Sequence, residues 1–233
     1  MSGACERLLG RAAGEWAAAL VRGEAWLDRG APDRFVGLCD EARLLAALRR
    51  MPTQWQAAPP FGALVTDPLG DGLTFTEVVA VDEIEAWLAR GHTICADDVS
   101  GFDAGLAAVA EVLVRDLGCA GGRFNAYLSP AGARTPMHFD TRVSTTLQLT
   151  GRKRWRYQRT AAAPNPSANG QIDRFGDTQW MAPVVDREPP PRPSGLEVVE
   201  LGPGDLLCVP AGAWHEVSAL ERGLALNLSL RVG

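Results

Sequence analysis

Residues 201–217 read LGPGDLLCVPAGAWHEV, and they place a short apolar strand between two turns that contain glycine and proline. Leu206–Val209 is apolar at every position, which is typical of a strand buried on both faces. The second turn ends at His215. Similar apolar runs, separated by Gly, Pro and Ser, predict strands back to about residue 122. The predicted strands are 123–129, 145–150, 153–158, 196–201, 205–209, 214–219 and 224–230.

This pattern predicts two packed antiparallel sheets, as in a jelly roll or a barrel. The first 50 residues differ, because residues 12–22 and 40–50 carry apolar side chains at helical spacing. We expect Trp16 and Trp26 to pack between these helices. From residue 61, β-prone and helical segments alternate: strands at 63–66, 74–81 and 93–96, and helices at 83–90 and 102–117. The predicted organisation is an α-helical N-terminal region, 1–60, before a mainly β domain, 61–233.

The composition of the 233 residues disfavours several classes of protein. The net charge is -5, and 28 acidic residues outnumber 23 basic ones, which disfavours binding to nucleic acid. No apolar run is long enough to span a membrane, and charges interrupt the N-terminal residues where a signal peptide needs an apolar stretch. Five scattered cysteines without a CxxC pair disfavour a disulfide framework and a thiolate zinc site. We expect a soluble cytoplasmic protein.

Two of the three histidines suggest a metal site. His138 and Asp140 form an HxD pair, and residues two apart on a strand point to the same face. His215 follows a turn and begins a strand that is distant in the sequence, and from there its side chain can lie next to His138 and Asp140. Two imidazoles and one carboxylate form the facial triad of non-haem Fe(II) oxygenases. The alternative for each histidine is a structural role, which we also expect for His92.

Three segments resemble the JmjC/cupin-type family of Fe(II)- and 2-oxoglutarate-dependent oxygenases, particularly its ribosomal-oxygenase-like branch. They are FNAYLSPAGARTPMHFD (124–140), STTLQLTGRKRWRYQ (144–158) and LGPGDLLCVPAGAWHEV (201–217). The resemblance covers residues 122–232. It implies a double-stranded β-helix, with His138, Asp140 and His215 as the metal ligands for Fe(II).

The resemblance also gives a role to Lys153, which is the only lysine in the chain. Many members of the family have a basic residue fifteen positions after the first histidine, and it binds the distal carboxylate of 2-oxoglutarate. Lys153 occupies this position. A carboxylate that enters an apolar barrel needs a buried counter-charge. Strand alternation would then direct Arg152 and Arg154 to solvent.

Further polar residues are candidates for the cosubstrate pocket. Thr135 lies where some members of the family place a hydroxyl on the same carboxylate. Tyr127 and Asn125 share a face of one predicted strand, and Asn227 lies on another; each is either a pocket residue or an ordinary core residue. The proline-rich segment 161–194 interrupts the strands, and its length predicts either a loop over the barrel mouth or a tolerated insertion.

The function implied by the resemblance is hydroxylation of a C–H bond, with succinate and CO2 as co-products. The expected substrate is a protein or peptide side chain, and demethylation through hydroxylation of an N-methyl carbon stays open. One alternative is a 2-oxoglutarate oxygenase that acts on a free amino acid or a small-molecule metabolite. Another is a non-oxygenase cupin, including a silent metal-binding module. A homodimer formed through the N-terminal helices is also open.

Overall fold

The computed structural model describes residues 8, 12–49, 61–66, 74–78, 80–173, 175–181 and 188–232. Within these ranges the α-helices are α1 (Ala12–Arg22), α2 (Glu41–Arg49), α3 (Ile84–Ala89) and α4 (Ala104–Asp116). The strands before the predicted metal site are β1 (Trp26–Asp28), β2 (Phe61–Thr66), β3 (Thr74–Val78), β4 (Thr93–Ala96) and β5 (Gly121–Ser129). The remaining strands are β6 (Arg134–Phe139), β7 (Val143–Gln148), β8 (Lys153–Tyr157), β9 (Gly170–Ile172), β10 (Thr178–Trp180), β11 (Glu197–Leu201), β12 (Leu206–Val209), β13 (His215–Ala219) and β14 (Gly223–Arg231).

The described strands form two antiparallel sheets. The larger sheet has the order β1-β12-β7-β14-β5-β4-β2-β3, and the smaller has the order β10-β9-β6-β13-β8-β11. Consecutive strands of the jelly-roll region alternate between the sheets, so that β6, β8 and β13 belong to one sheet and β5, β7, β12 and β14 to the other. The predicted mainly β fold with N-terminal helices is confirmed.

The main core lies between the helices and the larger sheet. Trp16 of α1, Leu48 of α2 and Leu113 of α4 are fully or almost fully buried in one cluster with side chains of β5 and β14. Strands β7 and β12 are buried at every position, because helices cover one face of the sheet and the smaller sheet covers the other. This double burial explains why the deciding strand Leu206–Val209 is entirely apolar.

The N-terminal region contains a strand in addition to helices. Strand β1 pairs with β12, with Trp26 opposite Cys208, so residues before position 60 extend the larger sheet. Trp26 stacks on Trp16 at 6.1 Å between ring centroids. The prediction that both tryptophans lie on a seam between helices is therefore wrong for Trp26, which lies on the strand. At three residues β1 is too short to show a period in the sequence.

The proline-rich segment 161–194 is partly a hairpin. Strands β9 and β10 pair with each other, and β9 also pairs with β6, which extends the smaller sheet at its edge. The sequence did not indicate this hairpin, and the choice between a loop over the barrel mouth and a tolerated insertion stays a prediction. Residues 174 and 182–187 of the segment lie outside the described ranges. None of the described helices has the length and hydropathy that a membrane-spanning helix needs.

Candidate active site

A cavity of about 210 Å³ lies between the two sheets. Its walls come from both sheets, since β6, β8 and β13 contribute from the smaller sheet and β5, β7 and β14 from the larger one. The proline-rich segment contributes Asn169, Gln171 and Met181 at one end. The cavity is therefore the interior of the jelly roll, and it contains His138, Asp140 and His215 together.

The two histidines are neighbours because of the strand register. His215 of β13 lies directly opposite His138 of β6, so both side chains project from the same face of the sheet. Their ring centroids are 4.3 Å apart. Asp140 follows β6, and its Oδ2 lies 3.7 Å from Nε2 of His215. One ligand atom from each of the three residues lies within 4.8 Å of the others, a spacing that suits a single metal ion.

Backbone carbonyls fix the tautomers of both histidines. Nδ1 of His138 lies 2.7 Å from the carbonyl oxygen of Pro136, and Nδ1 of His215 lies 3.0 Å from that of Ala213. A carbonyl oxygen only accepts hydrogen bonds, so each Nδ1 carries the proton and donates. In the neutral form of either imidazole, Nε2 is then the nitrogen that offers an electron pair, as a metal ligand must.

The burial of His215 favours the neutral form of its imidazole. Its side chain is almost completely buried, and burial together with the neighbouring His138 lowers the pKa of His215 to about 4. The imidazole is therefore neutral at physiological pH before any metal binds. His92, the third histidine, lies against Trp87 with 5.4 Å between ring centroids and does not line the cavity.

Lys153 lies deep in the same cavity. The burial of β8 alternates, so Lys153, Trp155 and Tyr157 are buried while Arg154 and Arg156 are exposed. Lys153 is 5% exposed, and in the described part of the chain its ammonium group forms no ion pair. Burial lowers the pKa of Lys153 to about 8. The ammonium nitrogen lies 5.8 Å from the centroid of the Tyr127 ring.

The flanking arginines behave as the alternation predicts. Arg152 and Arg154 both form ion pairs with Glu200 on the outer face of the sheet, 2.5 Å and 2.7 Å away respectively. They are therefore neutralised outside the barrel, and neither lines the cavity. Lys153 is consequently the single cation among the described residues that line this cavity.

The strand register separates Lys153 from the histidines. Lys153 lies opposite Ala219 of β13, four residues along that strand from His215. At about 3.3 Å per residue, the backbone of Ala219, next to Lys153, lies roughly 13 Å from the backbone of His215. The space between the ammonium group and the three ligand atoms is therefore suited to a short, elongated molecule with a carboxylate at its far end.

The other predicted pocket residues divide into two groups. Thr135, Tyr127 and Asn227 line the cavity, and Nδ2 of Asn227 donates to Oγ of Ser144 at 2.6 Å. Asn125 does not line it, since its side-chain oxygen accepts a hydrogen bond from the backbone amide of Asp98 at 3.0 Å. The prediction that places Asn125 in the pocket is therefore wrong, because the turn at Asp98 takes up its amide.

Several lining residues were not identified from the sequence. The hydroxyls of Thr93, Ser129, Ser144 and Thr146 line the cavity together with the amides of Asn169 and Gln171. Ser144 and Thr146 lie two apart on β7, on the face shared with the cavity, and this spacing was a signal that could have been used. Asn169 and Gln171 gave no such signal, because the sequence does not reveal that β9 pairs with β6.

Comparisons with known proteins place this geometry in a family. The family model described as JmjC domain matches residues 107–233. The chain is 24% identical over 168 residues to the uncharacterized protein YxbC of Bacillus subtilis, which is 68% of this chain and 50% of that protein. It is 28% identical over 145 residues to the bifunctional lysine-specific demethylase and histidyl-hydroxylase NO66 of Drosophila yakuba, covering 62% of this chain and 19% of that protein.

Solved structures share the fold. Escherichia coli ycfD superposes with a TM-score of 0.60 at 18% identity, covering 94% of this chain and 53% of that one. The complex of the ribosomal oxygenase YcfD with cobalt and 2-oxoglutarate gives a TM-score of 0.53, covering 94% of this chain and 52% of that one. The chain thus spans about half the length of these proteins, or less. Because the family model matches more than half of its residues, the chain belongs to the JmjC domain family.

Proposed function

We propose that this protein is an Fe(II)- and 2-oxoglutarate-dependent oxygenase that hydroxylates a C–H bond of a protein or peptide side chain. The observation that carries the proposal is that one cavity holds both the His138–Asp140–His215 cluster and a buried lysine without an ion-pair partner in the described part of the chain. A metal-binding module would need the first feature alone. A 2-oxoglutarate enzyme needs both.

The donor set fits Fe(II). Two imidazoles and one carboxylate, all at or next to neighbouring strand ends, would hold Fe(II) through three ligands and leave its other positions for further ligands. When bound, Fe(II) and 2-oxoglutarate supply the activation of O2, with succinate and CO2 as the products of the cosubstrate. The protein contributes two imidazoles whose orientation is held by the carbonyls of Pro136 and Ala213.

The closed end of the cavity fits a dicarboxylate. Lys153 would bind the distal carboxylate, and that pairing would restore the charge that burial disfavours on the free ammonium. Thr135, Tyr127 and Asn227 line the cavity and would add hydrogen bonds to the bound cosubstrate. Apolar lining residues such as Ala225 and Val217 exclude water, which strengthens the pairing of opposite charges.

The open end supports a polypeptide substrate. Gln171 lies opposite His138, Met181 is hydrogen-bonded to the neighbouring Asn169, and the side chain of Met181 is 47% exposed, so the cavity reaches solvent near the metal site. A relative is named as a histidyl-hydroxylase and lysine-specific demethylase, and a structural neighbour as a ribosomal oxygenase. Both names refer to protein substrates. A cytoplasmic location, the division at residue 60 and a homodimer through the N-terminal helices stay predictions.

The test is product analysis with Fe(II), 2-oxoglutarate and O2. We expect succinate formation and a mass increase of one oxygen atom on proteins or peptides of a lysate digest, with His215→Ala as the inactive control. Oxidised free amino acids or metabolites without any modified polypeptide would favour the small-molecule alternative. A net loss of CH2 from a polypeptide, with formaldehyde released into solution, instead of a gain of one oxygen atom would favour demethylation. Tight metal binding without succinate formation would refute the proposal.

A further inference from the structure

Asn169 lies where the proline-rich segment meets the candidate metal site. It directly precedes β9, in which Gly170 lies opposite Phe139 and Gln171 lies opposite His138 of β6. The backbone carbonyl of Asn169 accepts a hydrogen bond from the amide of Met181 at 2.8 Å. Asn169 is therefore fixed from both sides by the hairpin, and it enters the cavity beside the end of β6.

The side chain of Asn169 makes two hydrogen bonds to the residues after β6. Its Oδ1 accepts from the backbone amide of Thr141 at 2.8 Å, and its Nδ2 donates to Oδ1 of Asp140 at 3.3 Å. The amide of Thr141 is necessarily a donor, so the group that it contacts must be the oxygen of Asn169. The nitrogen of Asn169 therefore faces the carboxylate of Asp140.

These contacts distinguish the two oxygens of Asp140. Oδ1 is held by Asn169, whereas Oδ2 lies 3.7 Å from Nε2 of His215, within the candidate ligand set. The backbone of Asp140 is fixed as well, because its carbonyl accepts from the amide of Gly212 at 2.9 Å. The remaining freedom of this residue is rotation of the carboxylate, and a terminal torsion of this kind has broad energy minima.

We propose that Asn169 is a positioning residue that holds the carboxylate of Asp140 so that it binds the metal through Oδ2 alone. A carboxylate that rotated freely could chelate the metal with both oxygens and occupy a position needed by the cosubstrate or O2. The hydrogen bond to Oδ1 disfavours that rotation. The inference rests on the proposed function, since it assigns a role to Asn169 only if the three residues bind a metal.

An aromatic cluster keeps the hairpin in place. Phe139 packs edge-on against Trp214 and Trp180, with 4.8 Å and 5.6 Å between ring centroids. The indole of Trp214 donates to the carbonyl of Pro191 at 2.8 Å, which connects the return of the proline-rich segment to the strand of His215. The segment is thus part of the frame of the metal site. The segment therefore supports Asp140 as a metal ligand, in addition to any contact that it makes with the substrate.

The test measures the affinity of the metal-free protein for Co(II), without 2-oxoglutarate and without turnover. Loss of an outer partner of a metal ligand weakens metal binding by about 10–100-fold. We expect Asn169→Ala to lose about tenfold or more, while the melting temperature of the metal-free protein stays close to that of the wild type. Ser167→Ala is the matched control, because Ser167 is exposed in the same segment, and it should bind Co(II) like the wild type.

Asn169→Asp separates positioning from local folding. This variant keeps an oxygen for the amide of Thr141 but loses the donor to Asp140. The variant also brings a second carboxylate close to Asp140, so its readout is the visible spectrum of bound Co(II), which we expect to differ from that of the wild type. Co(II) affinity within about threefold of the wild type in Asn169→Ala, or an unchanged Co(II) spectrum in Asn169→Asp, would overturn the role of Asn169. If the wild type itself bound no Co(II), or if His138→Ala bound it equally well, the proposed function would fail first.

Discussion

Burial of Lys153 destabilises the folded protein, so a contribution to stability does not explain why this residue is buried. It is fully enclosed, and burial lowers its pKa from 10.5 to about 8. Between these pH values the unfolded chain binds the proton and the folded protein does not, so this group makes stability rise with pH through that window. Below about pH 8 the ammonium group is charged in the folded protein, and the full free-energy cost of burying that charge is present. A group that destabilises the free protein in this way is expected where a ligand later neutralises it.

Lys153→Met should therefore stabilise the ligand-free protein at pH 7. The shift in pKa corresponds to on the order of 3 kcal/mol, and a side chain of similar volume removes it. The measurement is urea unfolding at pH 7 and at pH 10, where the gain should shrink. Arg154→Met, which changes an exposed neighbour, is the control. Equal stability of Lys153→Met and wild type at pH 7 would show that the lysine is already compensated within the protein.

The sequence identified the residues that have distinctive chemistry. His138, Asp140 and His215 stood out because the chain has few histidines, and Lys153 because it has one lysine. Asn125 was misassigned, since an amide gives no sign of which neighbour takes its hydrogen bonds. Asn169 was missed for a related reason. Its contact with Asp140 joins residues 29 positions apart and exists only because β9 pairs with β6.

At the scale of elements, the strands of four or more residues were predicted, apart from β6, and the three-residue strands were not. Strands β5, β7, β8 and β14 have five to nine residues, and their apolar patterns are visible in the sequence. Strands β1, β9 and β10 have three residues each and depend on a partner strand for their conformation. The consequence is functional, because β9 supplies Gln171 to the cavity and the residue directly before β9 supplies Asn169.

The contact of β9 with β6 depends on a glycine. A Cβ atom at Gly170 would lie 2.3 Å from the ring of Phe139, which is completely buried. Gly170→Ala must therefore push the hairpin away or displace the ring, and overpacking of this kind costs about 1–3 kcal/mol. We expect lower stability in urea together with weaker Co(II) binding. Unchanged values of both would mean that β9 does not hold the metal site.

At the scale of the whole molecule, burial against the larger sheet outweighs surface charge. Leu226 of β14 is completely buried beneath the helices. Arg222 is 44% exposed and forms ion pairs with Glu41 and Glu85, which connect α2 and α3 to the end of the barrel. Exposed ion pairs contribute little, whereas truncation of a buried leucine removes contacts on all sides.

These two residues give a comparison that tests what stabilises the fold. Leu226→Ala should lower the free energy of unfolding by about 2–5 kcal/mol, and Arg222→Ala by less than about 1 kcal/mol per ion pair. Urea unfolding of both variants at moderate ionic strength is the measurement. A larger loss in Arg222→Ala would show that the ion pairs between the helices and the barrel, more than the core, maintain the architecture.

The central claim is that one cavity binds a metal at His138, Asp140 and His215 and a dicarboxylate at Lys153. The most direct measurement is anaerobic addition of Fe(II) and 2-oxoglutarate, followed by absorption in the visible range. The wild type should develop a weak charge-transfer band that saturates with 2-oxoglutarate. Lys153→Ala should need on the order of a few hundred-fold more 2-oxoglutarate, since an unpaired buried carboxylate costs about 3–5 kcal/mol, and Asp140→Ala should give no band. A wild-type protein that binds Fe(II) without a band, or a Lys153→Ala variant that saturates at the wild-type concentration, would contradict the account.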